Sequence, residues 1–255
     1  MTDFLMYVLC GLSAGLLGGY LGLGGGIVMV PFLTIVAGVD IKTAVPVSVT
    51  AIVVNSFSAS NEYLKKGMVD LELAVILAIF MVLGNITGSN LSLVVPAEAT
   101  RLLLTVILVY TAFSLLKGKK TTERVSFKDN RSKYILACTL IAFLTGVLAA
   151  LVGIGGGVIL VPMLYLVIGT PLSTARGTSS LLIGFSAAAS TAVYFLYGMI
   201  DFSIITGVIL GITVGGKVGG YLGTIARPLV VKVMFFVIML YLAFRLAYEP
   251  MKGIL

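Results

Sequence analysis

The sequence contains no histidine, no tryptophan, only two cysteines and few charged residues. Charged residues make up 11% of the 255 residues, whereas about 25% is usual for a soluble domain. Without histidine the chain lacks the commonest metal ligand and catalytic base. Cys10 and Cys138 stand alone, without the spacing of a metal or redox motif. We therefore expect no enzyme activity, no metal site and no cofactor.

Apolar residues dominate what is present, at 59% of the chain with a mean hydropathy of +1.16. A soluble core could not bury this much apolar surface, and the composition also excludes a disordered chain and a disulfide-stapled scaffold. The sequence pI is about 9.4, but the composition is not that of a nucleic-acid-binding protein. The remaining fold class is an all-α integral membrane protein that crosses the bilayer several times.

About eight hydrophobic runs predict membrane helices, since ~20 apolar residues cross a bilayer. Two runs, 4–38 and 134–169, are too long for one crossing, because a continuous helix of about 35 residues measures roughly 52 Å. Each contains a glycine cluster, and consecutive glycines weaken a helix and permit positive φ. We predict that both runs are broken or re-entrant at their clusters. The other runs are 44–64, 71–95, 101–116, 175–197, 202–225 and 229–248.

The two glycine clusters belong to an internal repeat. Residues of the first half match residues that follow at a fixed distance in the second half, the distance from Gly26 to Gly157, which we call the repeat offset. The repeat offset superposes Gly22 and Gly24–Gly26 on Gly153 and Gly155–Gly157, and it continues through the pairs Pro31/Pro162, Ser48/Ser179, Tyr63/Tyr194 and Asp70/Asp201. Apolar matches arise by chance, but coinciding glycines, prolines and aspartates do not. We predict a first transmembrane repeat over 1–116, a basic linker over 117–133 and a second transmembrane repeat over 134–255.

The linker carries seven basic and two acidic residues. Such a loop is typical of the cytoplasmic side under the positive-inside rule, although a site for anionic lipid or a partner is the alternative. Inverted repeats would place twelve basic residues inside and four outside, against eleven and five for parallel repeats, with Lys217 left out of both counts. The counts favour inverted repeats and leave parallel ones open.

The glycine clusters do not match the dinucleotide fingerprint GxGxxG, because Ile27 and Val158 occupy its last position. In a membrane, a helix that begins at mid-depth presents N–H groups and partial positive charge to an anion. Paired breaks in two repeats are a pointer to a transporter's binding site. We predict half-helices that begin at Gly26 and Gly157. Alternatively, the glycines only permit close helix packing, as we expect of Gly84/Gly88 and Gly215/Gly219.

Polar residues that follow both clusters complete a candidate anion site. Ser48 and Ser179 are the favoured pair, although such hydroxyls also bond neighbouring helices. Arg176 and Lys217 are candidate counter-charges, with snorkelling to the membrane surface as the alternative for Lys217. The predicted substrate-binding residues are Gly24, Gly25, Gly26, Ser48, Asn55, Gly155, Gly156, Gly157, Arg176, Thr178, Ser179 and Lys217, and the structural motif is Gly22, Pro31, Gly153 and Pro162.

No acidic residue lies deep in an apolar run, so the usual proton relay is not visible. Coupling to a proton or to sodium stays open. A passive, channel-like anion conductor and a non-transporting subunit of a membrane assembly are the alternatives to a carrier.

At Leu21–Pro31 and Val152–Pro162 the chain resembles the sulfite exporter TauE/SafE family, and the resemblance covers nearly its whole length. It implies an integral membrane carrier of sulfite, sulfonates or related sulfur-containing anions in the cytoplasmic membrane of bacteria and archaea. Through the family motif it implicates Gly22, Gly24–Gly26, Pro31, Gly153, Gly155–Gly157 and Pro162. We therefore expect alternating-access transport of a small anion between the two broken helices. Membrane lipids are an expected partner and nucleic acid is not. The direction of transport and the oligomeric state are not indicated.

Overall fold

The computed structural model describes residues 2–117 and 127–225, and beyond them only positions 233, 236, 237, 240, 241 and 244. Every regular element in this part of the chain is helical. Residues 118–126 of the predicted linker lie outside the described residues. In chain order the elements are α1 (Thr2–Leu21), α2 (Gly26–Pro31) with a π-helical turn at Phe32–Val36, α3 (Ile41–Lys65), α4 (Leu71–Val94), α5 (Ala97–Lys117), α6 (Phe127–Val152), α7 (Gly157–Pro162) with a π-helical turn at Met163–Val167, α8 (Leu172–Leu196) and α9 (Phe202–Ile225).

Local sequence signals explain several of these boundaries. The side chains of Asp40 and Asp70 each accept a hydrogen bond of 3.0 Å from the first turn of α3 and α4, which satisfies an N–H that a helix start leaves unpaired. Pro31 and Pro162 are the last residues of α2 and α7. Because proline has no N–H to donate, the regular ladder is interrupted where each π-helical turn begins.

Among the described helices, α1, α3, α4, α8 and α9 are long and apolar enough to cross a membrane. Large apolar side chains cover their outward faces, as Leu71, Val75 and Ile79 do on α4, where they are exposed. An apolar surface of this kind suits contact with lipid. The chain is a multi-pass membrane protein, as its composition predicts.

Element boundaries in the two halves differ by the repeat offset for α2 and α7, for α3 and α8, and for α4 and α9. The packing follows the same correspondence, because α1 packs along α9 and α6 packs along α4. Glycines bring the backbones close in both contacts. A side chain at Gly215 or Gly219 would collide with the backbone of α1, and one at Gly84 or Gly88 with the backbone of α6.

The order of contacts gives the relative direction of the helices. Gly11 meets Val208 and Gly19 meets Gly216, so residue numbers rise together and α1 runs parallel to α9. By the same criterion α3 runs parallel to α9, and α4 runs parallel to α6 and to α8. Helices α3 and α8 are antiparallel, since their contacts run in the opposite order. Thus α1 runs opposite to α6, α3 opposite to α8 and α4 opposite to α9, and α2 with its π-helical turn returns the chain to the side where α1 began.

Candidate functional site

The site is built around two buried glycine turns, residues 22–26 and 153–157. At the first glycine turn, α1 ends at Leu21 and α2 begins at Gly26. Between them Gly24 and Gly25 have φ of +82° and +94°. In the second, Gly155 and Gly156 have φ of +78° and +77° before α7 begins. These left-handed conformations suit glycine, which has no Cβ to clash with the backbone. Each cluster therefore allows a sharp reversal inside the membrane region.

The two glycine turns contact each other directly, backbone against backbone. A Cβ atom added to Gly26 would overlap the carbonyl oxygen of Gly153. A Cβ added to Gly157 would lie 2.5 Å from Leu23 Cα and 2.7 Å from the carbonyl oxygen of Gly22. Glycine is thus required for the two halves to meet this closely at the centre of the protein.

Ser48 and Ser179 lie at the glycine turns, but their hydroxyls hold the backbone. The Ser48 hydroxyl donates to the carbonyl oxygen of Gly153 at 2.8 Å, and the Ser179 hydroxyl donates to that of Gly22 at 3.1 Å. Each serine therefore ties its own half to the glycine turn of the other half. We call the arrangement in which the two glycine turns touch the closed arrangement. In it, neither hydroxyl hydrogen is left for a substrate.

Asn55 fixes the first glycine turn from α3. Its side-chain Nδ2 donates to the carbonyl oxygen of Gly24 at 2.7 Å. Its Oδ1 is fully buried and accepts no hydrogen bond from any residue that the structure describes. The carbonyl oxygen of Gly25 accepts from the N–H groups of Val28 and Met29, both at 3.1 Å, which sets the first turn of α2.

The backbone of Arg176 lies beside the first glycine turn, where a Cβ on Gly22 would lie 2.7 Å from the Arg176 Cα. The side chain is only 2% exposed. Its Nη1 donates to the carbonyl oxygen of Tyr20 at 3.1 Å and its Nε to that of Leu172 at 3.3 Å, while its guanidinium carbon lies 5.9 Å from the ring centre of Tyr63. Within the described part of the chain it forms no ion pair with a carboxylate. The guanidinium is thus a buried cation held by neutral oxygens and an aromatic ring.

Two predicted binding residues lie away from the glycine turns. The Thr178 hydroxyl oxygen accepts from the N–H of Asp70 at 2.9 Å, so Thr178 holds the connection between α3 and α4. Lys217 lies on the exposed face of α9, whereas the face toward α1 and α3 includes glycines such as Gly216 and Gly220. The structure therefore does not bring Lys217 to this site.

Comparison with known proteins identifies the chain's relatives. The family model described as "Sulfite exporter TauE/SafE" matches residues 7–246. The chain belongs to the sulfite exporter TauE/SafE family. This is a family of membrane transporters, not of enzymes, so the protein is embedded in a membrane and its family implies a small anionic substrate.

Relatives of this TauE/SafE chain carry transporter names. A "Probable membrane transporter protein" of Xylella fastidiosa is 30% identical over 197 residues, which are 77% of this chain and 74% of the relative. "Probable membrane transporter protein YunE" of Bacillus subtilis is 27% identical over 220 residues, at 78% and 81% coverage. "Sulfite exporter TauE/SafE family protein 5" of Arabidopsis thaliana is 36% identical over 113 residues, covering 44% of this chain and 25% of the relative. No solved structure matches the chain.

The sequence interpretation missed two residues of this TauE/SafE protein, Ile52 on α3 and Ile183 on α8. Both are fully buried. The Cγ2 atom of each lies 3.0 Å from a Cβ placed on Gly24, and atoms of both lie 3.2 Å from one placed on Gly155. They are separated by the repeat offset, but an apolar match at that offset is a weak signal in so apolar a chain. The two isoleucines cover the glycine turns from opposite halves.

Proposed function

We propose that this protein moves a small sulfur-containing anion, such as sulfite or a sulfonate, through a site between the two glycine turns. The observation that carries the proposal is Arg176, whose backbone lies beside Gly22 and whose buried guanidinium has no carboxylate partner among the described residues. Isolating a charge from water costs several kcal/mol unless it is compensated. An anion at the glycine turns would supply that compensation.

Backbone donors support an anion at the same place. Gly26 and Gly157 begin helices α2 and α7, and the first N–H groups of a helix have no intrahelical acceptor. The partial positive charge of a helix start also favours an anion. We infer that the two glycine turns donate backbone N–H groups to the substrate, and that Ser48, Ser179 and Asn55 contribute when the turns separate.

We infer that transport proceeds by alternating access between two inverted repeats, residues 1–116 and 134–255. Supporting this, corresponding helices of the two halves run in opposite directions and share boundaries at the repeat offset. Inverted repeats that meet at broken helices near mid-membrane are a common transporter design, in which one unit rocks against the other. A basic linker, 117–133, would then lie in the cytoplasm and the protein in the cytoplasmic membrane, in keeping with the positive-inside rule.

The packing at the centre favours a carrier over an open channel. Ile52 and Ile183 cover Gly24 and Gly155 and are inaccessible to solvent, so a substrate reaches the glycine turns only after the two halves separate. Such a cycle gives saturable uptake and exchange between labelled and unlabelled anion across the membrane. A channel would instead give unitary currents and no counterflow.

Uptake by purified protein in liposomes tests the proposal, with sulfite, thiosulfate, sulfate and taurine offered with and without a proton gradient. We expect saturable uptake of at least one sulfur anion. Dependence on the proton gradient would identify the proton as the coupling ion. Failure to bind or move any of these anions would overturn the proposed substrate class.

A matched pair of glycine variants tests the position of the site. Gly25 and Gly198 both have positive φ, at +94° and +65°, so alanine costs about 1–2 kcal/mol of backbone strain at either. A Cβ on Gly25 would also lie 2.7 Å from the carbonyl oxygen of Ala14, whereas one on Gly198 meets nothing within 4 Å. We expect Gly25→Ala to lose transport and Gly198→Ala to retain it. Equal activity of the two folded variants would contradict a site at the glycine turns.

A further inference from the structure

Helices of both halves combine into two bundles. In the first bundle α9 packs along α1 and α3, and in the second bundle α4 packs along α6 and α8. A buried tyrosine lies inside each bundle. Tyr63 of α3 donates to the carbonyl oxygen of Gly19 in α1 at 3.1 Å, and Tyr194 of α8 donates to that of Ala150 in α6 at 2.8 Å. A rocking motion that keeps these contacts moves α9 with the first bundle and α4 with the second.

Two cations reach from one bundle to the other, near opposite faces of the membrane. We call the side on which α3 begins the first face and the side on which it ends the second face. Arg176 lies in the first turns of α8, near the second face, and its Nη1 donates to the carbonyl oxygen of Tyr20 in α1 at 3.1 Å. Lys42 lies at the start of α3, near the first face. Its Nζ donates to the carbonyl oxygen of Ser92 in α4 at 2.6 Å and to that of Val95 just after α4.

Both cations bind carbonyl oxygens at the end of a helix that belongs to the other bundle. Tyr20 is the last residue but one of α1, and Ser92 lies two residues before the end of α4. The final carbonyls of a helix have no intrahelical donor and carry partial negative charge, so a cation is favourable there. Neither cation forms an ion pair in the part of the chain that the structure describes. Separation of the bundles on one face therefore breaks the hydrogen bonds that join them through the cation of that face.

The surroundings of Lys42 correspond to those of Arg176. The Arg176 guanidinium carbon lies 5.9 Å from the ring centre of Tyr63. Lys42 lines a small cavity together with Tyr194, which matches Tyr63 at the repeat offset. Arg176 itself matches Val45, three residues after Lys42 and thus on the same face of α3. The two cations are therefore counterparts displaced by one helical turn, which is why the repeat offset does not pair them.

The first face is closed at Lys42. The cavity that Lys42 and Tyr194 line has a volume of about 10 Å³, which is room for about one water molecule and too little for an anion such as sulfite. The second face is closed at Arg176, whose side chain is 2% exposed.

We propose that Lys42 and Arg176 are the two gate residues of the transport cycle, Lys42 on the first face and Arg176 on the second. A gate residue is one whose contact between the bundles must break before its face opens. Opening of the first face breaks the contacts of Lys42 with the end of α4 and leaves Arg176 bound to α1, and opening of the second face does the reverse. This inference rests on the proposed alternating access and adds Lys42 to the residues that carry it out.

Labelling of introduced cysteines tests the proposal, because it reports each face separately. The reporters are Val49→Cys and Ser180→Cys, at positions that match at the repeat offset and are 2% and 1% exposed. Val49 lies two turns beyond Lys42 on the same face of α3, and Ser180 lies one turn beyond Arg176 on α8. The measurement is the labelling rate with a water-soluble thiol reagent, in full-length protein in detergent whose two native cysteines are replaced by alanine.

Removing the charge of Lys42 should open the first face alone. Hydrogen bonds to charged groups are stronger than neutral ones, so we expect Lys42→Gln to label Val49→Cys about tenfold faster and Ser180→Cys no faster. Arg176→Gln should accelerate Ser180→Cys and not Val49→Cys. Lys42→Arg should label at the wild-type rates, because a guanidinium also donates to carbonyl oxygens. Lys65→Gln is the matched control and should change neither rate, since this lysine of α3 bonds a carboxylate of its own helix at 2.8 Å.

The outcomes separate this inference from the proposed function. Unchanged labelling in Lys42→Gln, or equal acceleration of both reporters, would overturn the role of Lys42 as the gate residue of one face. Lys42→Met, which keeps the apolar stem of the side chain, replaces the glutamine variant if that protein does not fold. Labelling needs no substrate, so a wild-type protein that moves no sulfur anion would overturn the proposed substrate class and leave this test intact. Normal sulfite exchange with unchanged labelling in Lys42→Gln would overturn this inference alone.

Discussion

Shortening Ile52 to valine should loosen the closed arrangement and speed exchange of substrate. The substitution removes a Cδ1 atom that packs on the second glycine turn. This atom is 3.2 Å from a Cβ placed on Gly155. An Ile→Val change in a packed core costs about 0.5–1.5 kcal/mol. Because Ile52 and Gly155 belong to different halves, the cost of losing this contact applies only while the glycine turns touch.

A closed state that is less stable by about 1 kcal/mol raises the population of open states about fivefold. We therefore expect counterflow of labelled sulfite to be about fivefold faster in Ile52→Val. The assay is the initial rate in liposomes, with thermal unfolding in detergent as the measure of stability. Ile212→Val is the control, since Ile212 is fully buried in α9 and away from the glycine turns. An unchanged rate in Ile52→Val, or equal acceleration in the control, would refute the reasoning.

Three further predictions concern residues with different roles. Ser48→Ala and Ser179→Ala each leave a buried glycine carbonyl without its donor, so unfolding free energy should fall by about 1–3 kcal/mol; thermal unfolding no different from wild type would contradict this. Lys217→Gln should transport at the wild-type rate, because the side chain lies on the exposed face of α9; a severe loss of uptake would place it in the mechanism. The hydrogen bond from the Ser203 hydroxyl lowers the pKa of Asp201. The Asp201 carboxylate therefore stabilises the fold at pH values above its unfolded-state pKa, and this stabilisation is lost as pH falls through the lower folded-state pKa. If unfolding depends on pH in the same way in Asp201→Asn as in the wild type, this carboxylate does not contribute.

Local sequence features predicted the elements of the fold that depend on local chemistry. Apolar runs longer than one crossing, each interrupted by glycines, predicted helices that begin at Gly26 and Gly157, and the structure has helices with these first residues. Asp70, noted in the sequence only as part of the repeat, bonds the first turn of α4 by equally local chemistry. These features follow from glycine's conformational freedom and from unpaired N–H groups, which are properties of short segments.

The arrangement of the site depends on packing between distant segments, which the sequence alone does not specify. The repeat offset singled out Ser48 and Ser179, but not that each donates across the interface to the opposite glycine turn. Lys217 drew attention as an isolated charge in an apolar run, yet the run does not indicate which face of α9 packs inward. Ile52 and Ile183 were missed because one apolar side chain resembles another until its contacts are known.

Counterflow of labelled sulfite in liposomes that contain the purified wild-type protein, beside Arg176→Gln and Arg176→Lys, tests the central claim most directly. We predict saturable exchange in the wild type, its loss when the buried positive charge is removed, and partial retention with lysine, since the charge remains but the planar donor geometry is lost. Full exchange by a folded Arg176→Gln protein would contradict an anion site that depends on Arg176.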